Sequence, residues 1–100
     1  MKIKFRQTGG FAGLAKSIEI DCDRIPADEA TFLQSLLDQS GFFDLSEPVQ
    51  RGMPDEEQYS VEVEAGGHLR KMYMDRSSVP DNLKPLIRYM VKCAKYEKRK

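Results

Sequence analysis

Net charge is the first thing this sequence lacks. Sixteen basic residues are balanced by sixteen acidic ones in a chain of 100 residues, so no long-range field draws in nucleic acid or an anionic membrane surface. Histidine and cysteine are nearly missing as well. His68 is the single histidine, and Cys22 and Cys93 are the two cysteines, with no CxxC or Cys/His spacing between them. A zinc site needs three or four such ligands, so neither a metal nor a cofactor is expected. The two thiols read as reduced and partly buried, as in a small cytosolic domain. No apolar run reaches the length of a membrane span. The opening Met1-Lys2-Ile3-Lys4-Phe5 alternates charge with apolar side chains, whereas a signal peptide has an unbroken apolar stretch. These absences predict a cytoplasmic protein with no membrane partner.

Catalysis is disfavoured on similar grounds. No serine sits in a GxSxG elbow, and a cysteine–histidine pair would require Cys22 or Cys93 to meet His68, which lies beside Gly67 at a turn. The acidic run Asp55-Glu56-Glu57 reads as a solvated loop, and Asp21 and Asp23 bracket Cys22 without the rest of a calcium-binding loop. The protein is therefore expected to act as a binding protein and not as an enzyme.

Alternating hydrophobicity and helical stripes fill the chain in a regular order. Ile3 and Phe5 alternate with Lys4 and Arg6 to predict a strand over Lys2 to Thr8, and Ile18 and Ile20 alternate with Ser17, Glu19 and Asp21 to predict its antiparallel partner. Pro26, Asp28 and Glu29 open a helix whose stripe is Ala30, Leu33, Leu36 and Leu37, with Phe32 at its margin and Gly41 as terminator. Phe42-Phe43-Asp44-Leu45 is expected to tuck at least one ring under the helix end, and residues 46–57 to form an exposed loop. Tyr59, Val61 and Val63 then alternate along a strand that turns at Gly66-Gly67 and returns over His68 to Asp75. A second helix opens at Pro80 and Asp81, tolerates Pro85 only in its first turn, and carries Leu83, Leu86, Ile87, Met90, Val91 and Ala94. The prediction is a single α+β domain over residues 1–100, a four-stranded antiparallel sheet in β-β-α-β-β-α order with both helices on one face.

Two segments invite a functional reading. The basic cluster Arg88, Lys92, Lys95, Lys98, Arg99 and Lys100, with Tyr89 and Tyr96 among it, is the one region suited to nucleic acid. Cations near a helix C-terminus also complement its dipole, which explains the cluster with no ligand, and no nucleic-acid partner is expected. Gly9, Gly10, Phe11, Ala12, Gly13 and Leu14 place an aromatic between glycines at the tip of the first hairpin. Glycine allows positive φ and close backbone approach, so the segment reads either as a compact turn whose apolar side chains fold inward or as a shaped loop offered to a partner's groove.

Lys2-Ile3-Lys4-Phe5 leading into Gly9-Gly10-Phe11-Ala12-Gly13, Phe42-Phe43-Asp44-Leu45 after the first helix, and Val79-Pro80 followed by Leu83, Pro85 and Leu86 together resemble the emfourin-like proteins. These are small bacterial inhibitors of protealysin and other thermolysin-like zinc metalloproteases. The resemblance implies inhibition by occupation of the protease cleft, with the zinc belonging to the enzyme. Such enzymes favour a large apolar residue just after the scissile bond, a role open to Phe11 or Leu14, with Gly9, Gly10 and Gly13 shaping the loop. A monomer when free is expected. The competing reading is an interaction module with no protease target, working through the open sheet face or the basic helix end.

Overall fold

A computed structural model describes residues 1–9, 15–48 and 56–97. The elements run β1 (Lys2–Thr8), β2 (Lys16–Asp21), α1 (Ala27–Ser40), β3 (Gln58–Ala65), β4 (His68–Asp75), α2 (Lys84–Cys93) and β5 (Lys95–Tyr96). Two single 3-10 turns, Arg76–Ser78 and Asp81–Leu83, link β4 to α2. All strand pairs are antiparallel, in the order β4-β3-β1-β2-β5.

The sheet thus has five strands where four were expected. The helical stripe reads through Ala94, but the backbone leaves the helix there with φ −66° and ψ 144°, and Lys95 and Tyr96 pair with Ser17 and Lys16. The outer edge of β2 would otherwise present unpaired N–H and C=O groups, and the departing chain pairs with its first two residues, Lys16 and Ser17. Lys95 therefore belongs to a strand and not to a helix end, and the remainder of the basic tail, Lys98, Arg99 and Lys100, lies outside the described residues.

Register explains the two faces. Met72, Val61, Phe5 and Ile18 stand opposite one another across four strands, and Val63, Ile3 and Ile20 form the next row. These rows point inward with Leu33 and Leu37 of α1 and Leu86, Ile87 and Met90 of α2, so both helices cover the same face. The open face carries Lys71, Glu62, Lys4 and Glu19 in one row and Glu64, Lys2 and Asp21 in the next. Charge alternates strand by strand, with Lys4 Nζ 3.8 Å from Glu62 Oε2. Opposite charges facing one another across strands are mildly favourable, and here they neutralise the wet face from within.

The α1 terminus delivers one phenylalanine to the core. Gly41 adopts φ 62° and closes the helix, while Ser40 Oγ donates to the Leu37 carbonyl at 2.6 Å and accepts the Phe42 N–H at 3.2 Å. Phe42 is buried and Phe43 exposed, their rings meeting edge-on at 5.6 Å. Arg70, on the inward side of β4, then secures this segment by donating to the carbonyls of Phe42 at 2.9 Å and Leu45 at 2.5 Å. Pro85 stands at the second position of α2, where a missing N–H costs no helical bond. No helix among the described residues is long and apolar enough to cross a membrane.

Candidate functional site

The β1–β2 ladder fixes where the candidate loop begins and ends. Its last pair is Gln7↔Lys16, so the glycine-rich segment is carried at one end of the sheet on two paired strands. Gly9 belongs to the described chain; Gly10, Phe11, Ala12, Gly13 and Leu14 lie outside it.

Both arms of the loop are braced at the base. On the outgoing arm Gly9 adopts φ 88°, and a Cβ built there would stand 2.8 Å from the Glu56 carbonyl oxygen. That carbonyl is held in place from the other side. The Glu56 side chain accepts the Ser77 N–H through Oε1, and the Glu57 carbonyl accepts the Arg76 N–H at 2.9 Å. On the returning arm the Ala15 carbonyl accepts the Glu97 N–H at 2.8 Å, extending the β2–β5 pairing by one bond. The Glu97 carboxylate receives Nε and Nη2 of Arg6 at 3.0 and 3.2 Å. Hydrogen bonding to that guanidinium holds the Glu97 carboxyl below the usual carboxylate range.

Glycine at position 9 is thus required twice, by conformation and by proximity. Gly9→Ala is expected to cost more stability than Gly41→Ala, a site also at positive φ but with open space, nothing lying within 4 Å of where its Cβ would stand. The left-handed conformation alone costs about 1–2 kcal/mol in each, and the clash with Glu56 adds to the first. Urea denaturation of the two variants measures the difference; equal losses would mean that the Glu56 carbonyl yields freely.

Beneath the loop base a cleft of about 780 Å³ opens between α2 and the end of the sheet, lined among others by Gln7, Lys16, Tyr59, Ile87, Arg88 and Lys92. Tyr59 donates its hydroxyl to Glu57 Oε2 at 3.1 Å. Burial, reinforced by the nearby Glu57 charge, pushes its phenol up to about 12, so it stays a neutral donor at any physiological pH.

The other candidate groups do not converge on a reactive centre. Cys22 follows β2 and His68 begins β4, three strand spacings or about 14 Å apart across the sheet. Burial pushes the Cys22 thiol up, away from the nucleophilic thiolate. His68 is exposed, with its ring 6.2 Å from that of Phe43. Among the described residues no group of histidine, cysteine or carboxylate side chains is placed to hold a metal ion.

Three residues of the loop base are not among the binding residues predicted from the sequence. Gln7 continues the inward-facing row of Ile3 and Phe5, and a polar side chain at a core-facing position is a signal that alternation alone reveals. Glu56 stands in an acidic run whose composition says only that it is a loop. Glu97 pairs with a residue ninety-one positions away, and no local pattern announces such a partner.

No curated protein and no solved structure matches the chain. A family model does: residues 5–91, from the second inward residue of β1 to the last turn of α2, match Emfourin. The match takes in most of the three segments that carried the resemblance. The chain belongs to the Emfourin family, and that membership implies a role as a protein inhibitor of proteases.

Proposed function

We propose that this protein inhibits a thermolysin-like zinc metalloprotease by placing residues 9–14 in the active-site cleft of the enzyme. Inhibitors of this kind bind like substrates and must survive the encounter. A segment held at both ends by paired strands does so in two ways. Fixed ends reduce the freedom that the segment loses on binding, and those ends stay together if a bond is cut. The braced base supports this reading: Gln7↔Lys16 closes the ladder, Gly9 packs on the Glu56 carbonyl, and Ala15 is hydrogen-bonded to Glu97.

Within that reading Phe11 or Leu14 supplies the large apolar side chain that such enzymes accept after the scissile bond, and the glycines let the backbone approach the cleft closely. The protein is a monomer when free, acts in the cytoplasm and contributes no metal of its own.

The deciding experiment is a titration of thermolysin, or a protealysin-like enzyme, with this protein while a small fluorogenic peptide is hydrolysed. Stoichiometric, competitive loss of activity is expected. Phe11→Ala should raise the inhibition constant by about 30-fold, the effect of losing one hot-spot anchor, with the thermal midpoint unchanged and with Lys98→Ala nearly neutral. Full activity of several such enzymes in excess protein would overturn the proposal and leave the interaction module in its place.

A further inference from the structure

The cleft beside the loop base is chemically lopsided. Lys84, Arg88 and Lys92 line one wall. They recur every four residues along α2, which puts them on one helical face at intervals of about 6 Å. Lys16 and Arg76 line the cleft as well, from β2 and from the 3-10 turn after β4. Against these five cations Glu57 is the one carboxylate among the described lining residues. Because the chain as a whole is neutral, this surplus is a local feature and not the edge of a basic protein.

Part of the cationic charge is uncommitted. Lys84 is shared with Asp81 at 2.8 Å and Arg76 lies 3.9 Å from Glu57. Arg88 and Lys92 are exposed and have no carboxylate at ion-pair distance among the described residues. Between the walls lie acceptors and apolar surface. Gln7 contributes a side-chain amide and Glu57 a carboxylate, and Ile87 and Val91 supply aliphatic surface.

We propose that this cleft binds an acidic peptide segment in extended conformation, carried by a partner protein. An extended chain repeats its side chains on one side every two residues, at about 6.6–6.8 Å, which matches the spacing of the α2 cations. Its backbone N–H groups are donors for the Glu57 carboxylate, its peptide groups are partners for the Gln7 side-chain amide, and an apolar side chain among the acids covers Ile87 and Val91. A nucleic-acid backbone has the negative charge but lacks those donors, and its phosphates would face the Glu57 carboxylate. The proposal does not depend on residues 9–14 entering a protease.

The test uses the full chain and free peptides, so it is independent of any enzyme. A short fluorescein-labelled Glu/Asp peptide with a central leucine is titrated with the protein at low salt and followed by anisotropy. Saturable binding is expected, weakening as salt rises. The double variant Arg88→Glu, Lys92→Glu should bind about tenfold more weakly, as expected when two exposed ion pairs are reversed, with the thermal midpoint unchanged. A second variant, Gln7→Leu, should also weaken binding while leaving the salt dependence intact, since it removes an acceptor and no charge. Absence of binding, binding indifferent to both variants, or equal affinity for a single-stranded oligonucleotide of the same charge would each overturn the proposal.

Discussion

Truncation of Phe5 to alanine is expected to lower the free energy of unfolding by about 3–5 kcal/mol. Phe5 is 1% exposed on the central strand of the sheet. Ile18 and Val61 flank it on the neighbouring strands, and its ring lies 5.7 Å from that of Tyr59. Paired strands on both sides leave the surroundings little freedom to collapse into the space, so the variant loses the transfer free energy of the ring and also retains a cavity. Domains of this size are stable by roughly 5–15 kcal/mol, and the loss takes a large share of that margin. Denaturation in urea should show a lower midpoint at unchanged slope. A loss below about 1 kcal/mol would mean that the core repacks around the vacancy, and the inward row Met72–Val61–Phe5–Ile18 would not be a rigid unit.

Arg70→Ala is expected to cost about 2–4 kcal/mol, for a different reason. The guanidinium bridges two backbone carbonyls, those of Phe42 and Leu45, and lies 5.9 Å from the centre of the Phe42 ring. Hydrogen bonds from a charged donor contribute about 1.5–3 kcal/mol each, and they are not additive when one group makes both. Losing them frees the chain that leaves α1, and with it the tether that keeps Phe42 packed. Arg70→Lys separates charge from geometry. An ammonium reaches one carbonyl but cannot span both in the planar fork of a guanidinium, so lysine should recover less than half of the loss. Full recovery by lysine would show that charge alone suffices there. Chemical denaturation of both variants measures the split, and faster amide exchange confined to residues 42–45 would locate it.

Phe5 and Arg70 differ in how far the sequence reveals them. Phe5 is readable as a core residue because its neighbours alternate, and alternation needs only the chain itself. Arg70 is not. It stands at an inward position of β4, among residues that simple patterning would assign to the core, and the carbonyls that accept its protons lie 25 and 28 residues earlier in sequence. The same contrast runs through the candidate site. Glycine at position 9 suggests a tight turn, but the reason it resists replacement is the carbonyl of Glu56, forty-seven residues further on, in a residue whose side chain is bound to Ser77. In sequence the basic residues of α2 form one cluster with Lys95 and the tail, as dipole complement and solubility. The fold divides them instead, placing Arg88 and Lys92 along a cleft, where Lys84 joins them, and moving Lys95 into a strand.

By itself the sequence determined the local elements: period two for β1 to β4, period near 3.6 for α1 and α2, glycine at the α1 terminus, proline where a helix opens, and the segments by which the chain resembles the Emfourin family. These follow from side-chain period and backbone restriction, both of which act within a few residues. Only the tertiary structure decided that β1 lies between β2 and β3, that a fifth strand closes the edge beside the loop, and which of two adjacent phenylalanines is buried. Those outcomes depend on contacts between distant segments, where register and shared hydrogen bonds choose among arrangements that the local pattern permits equally.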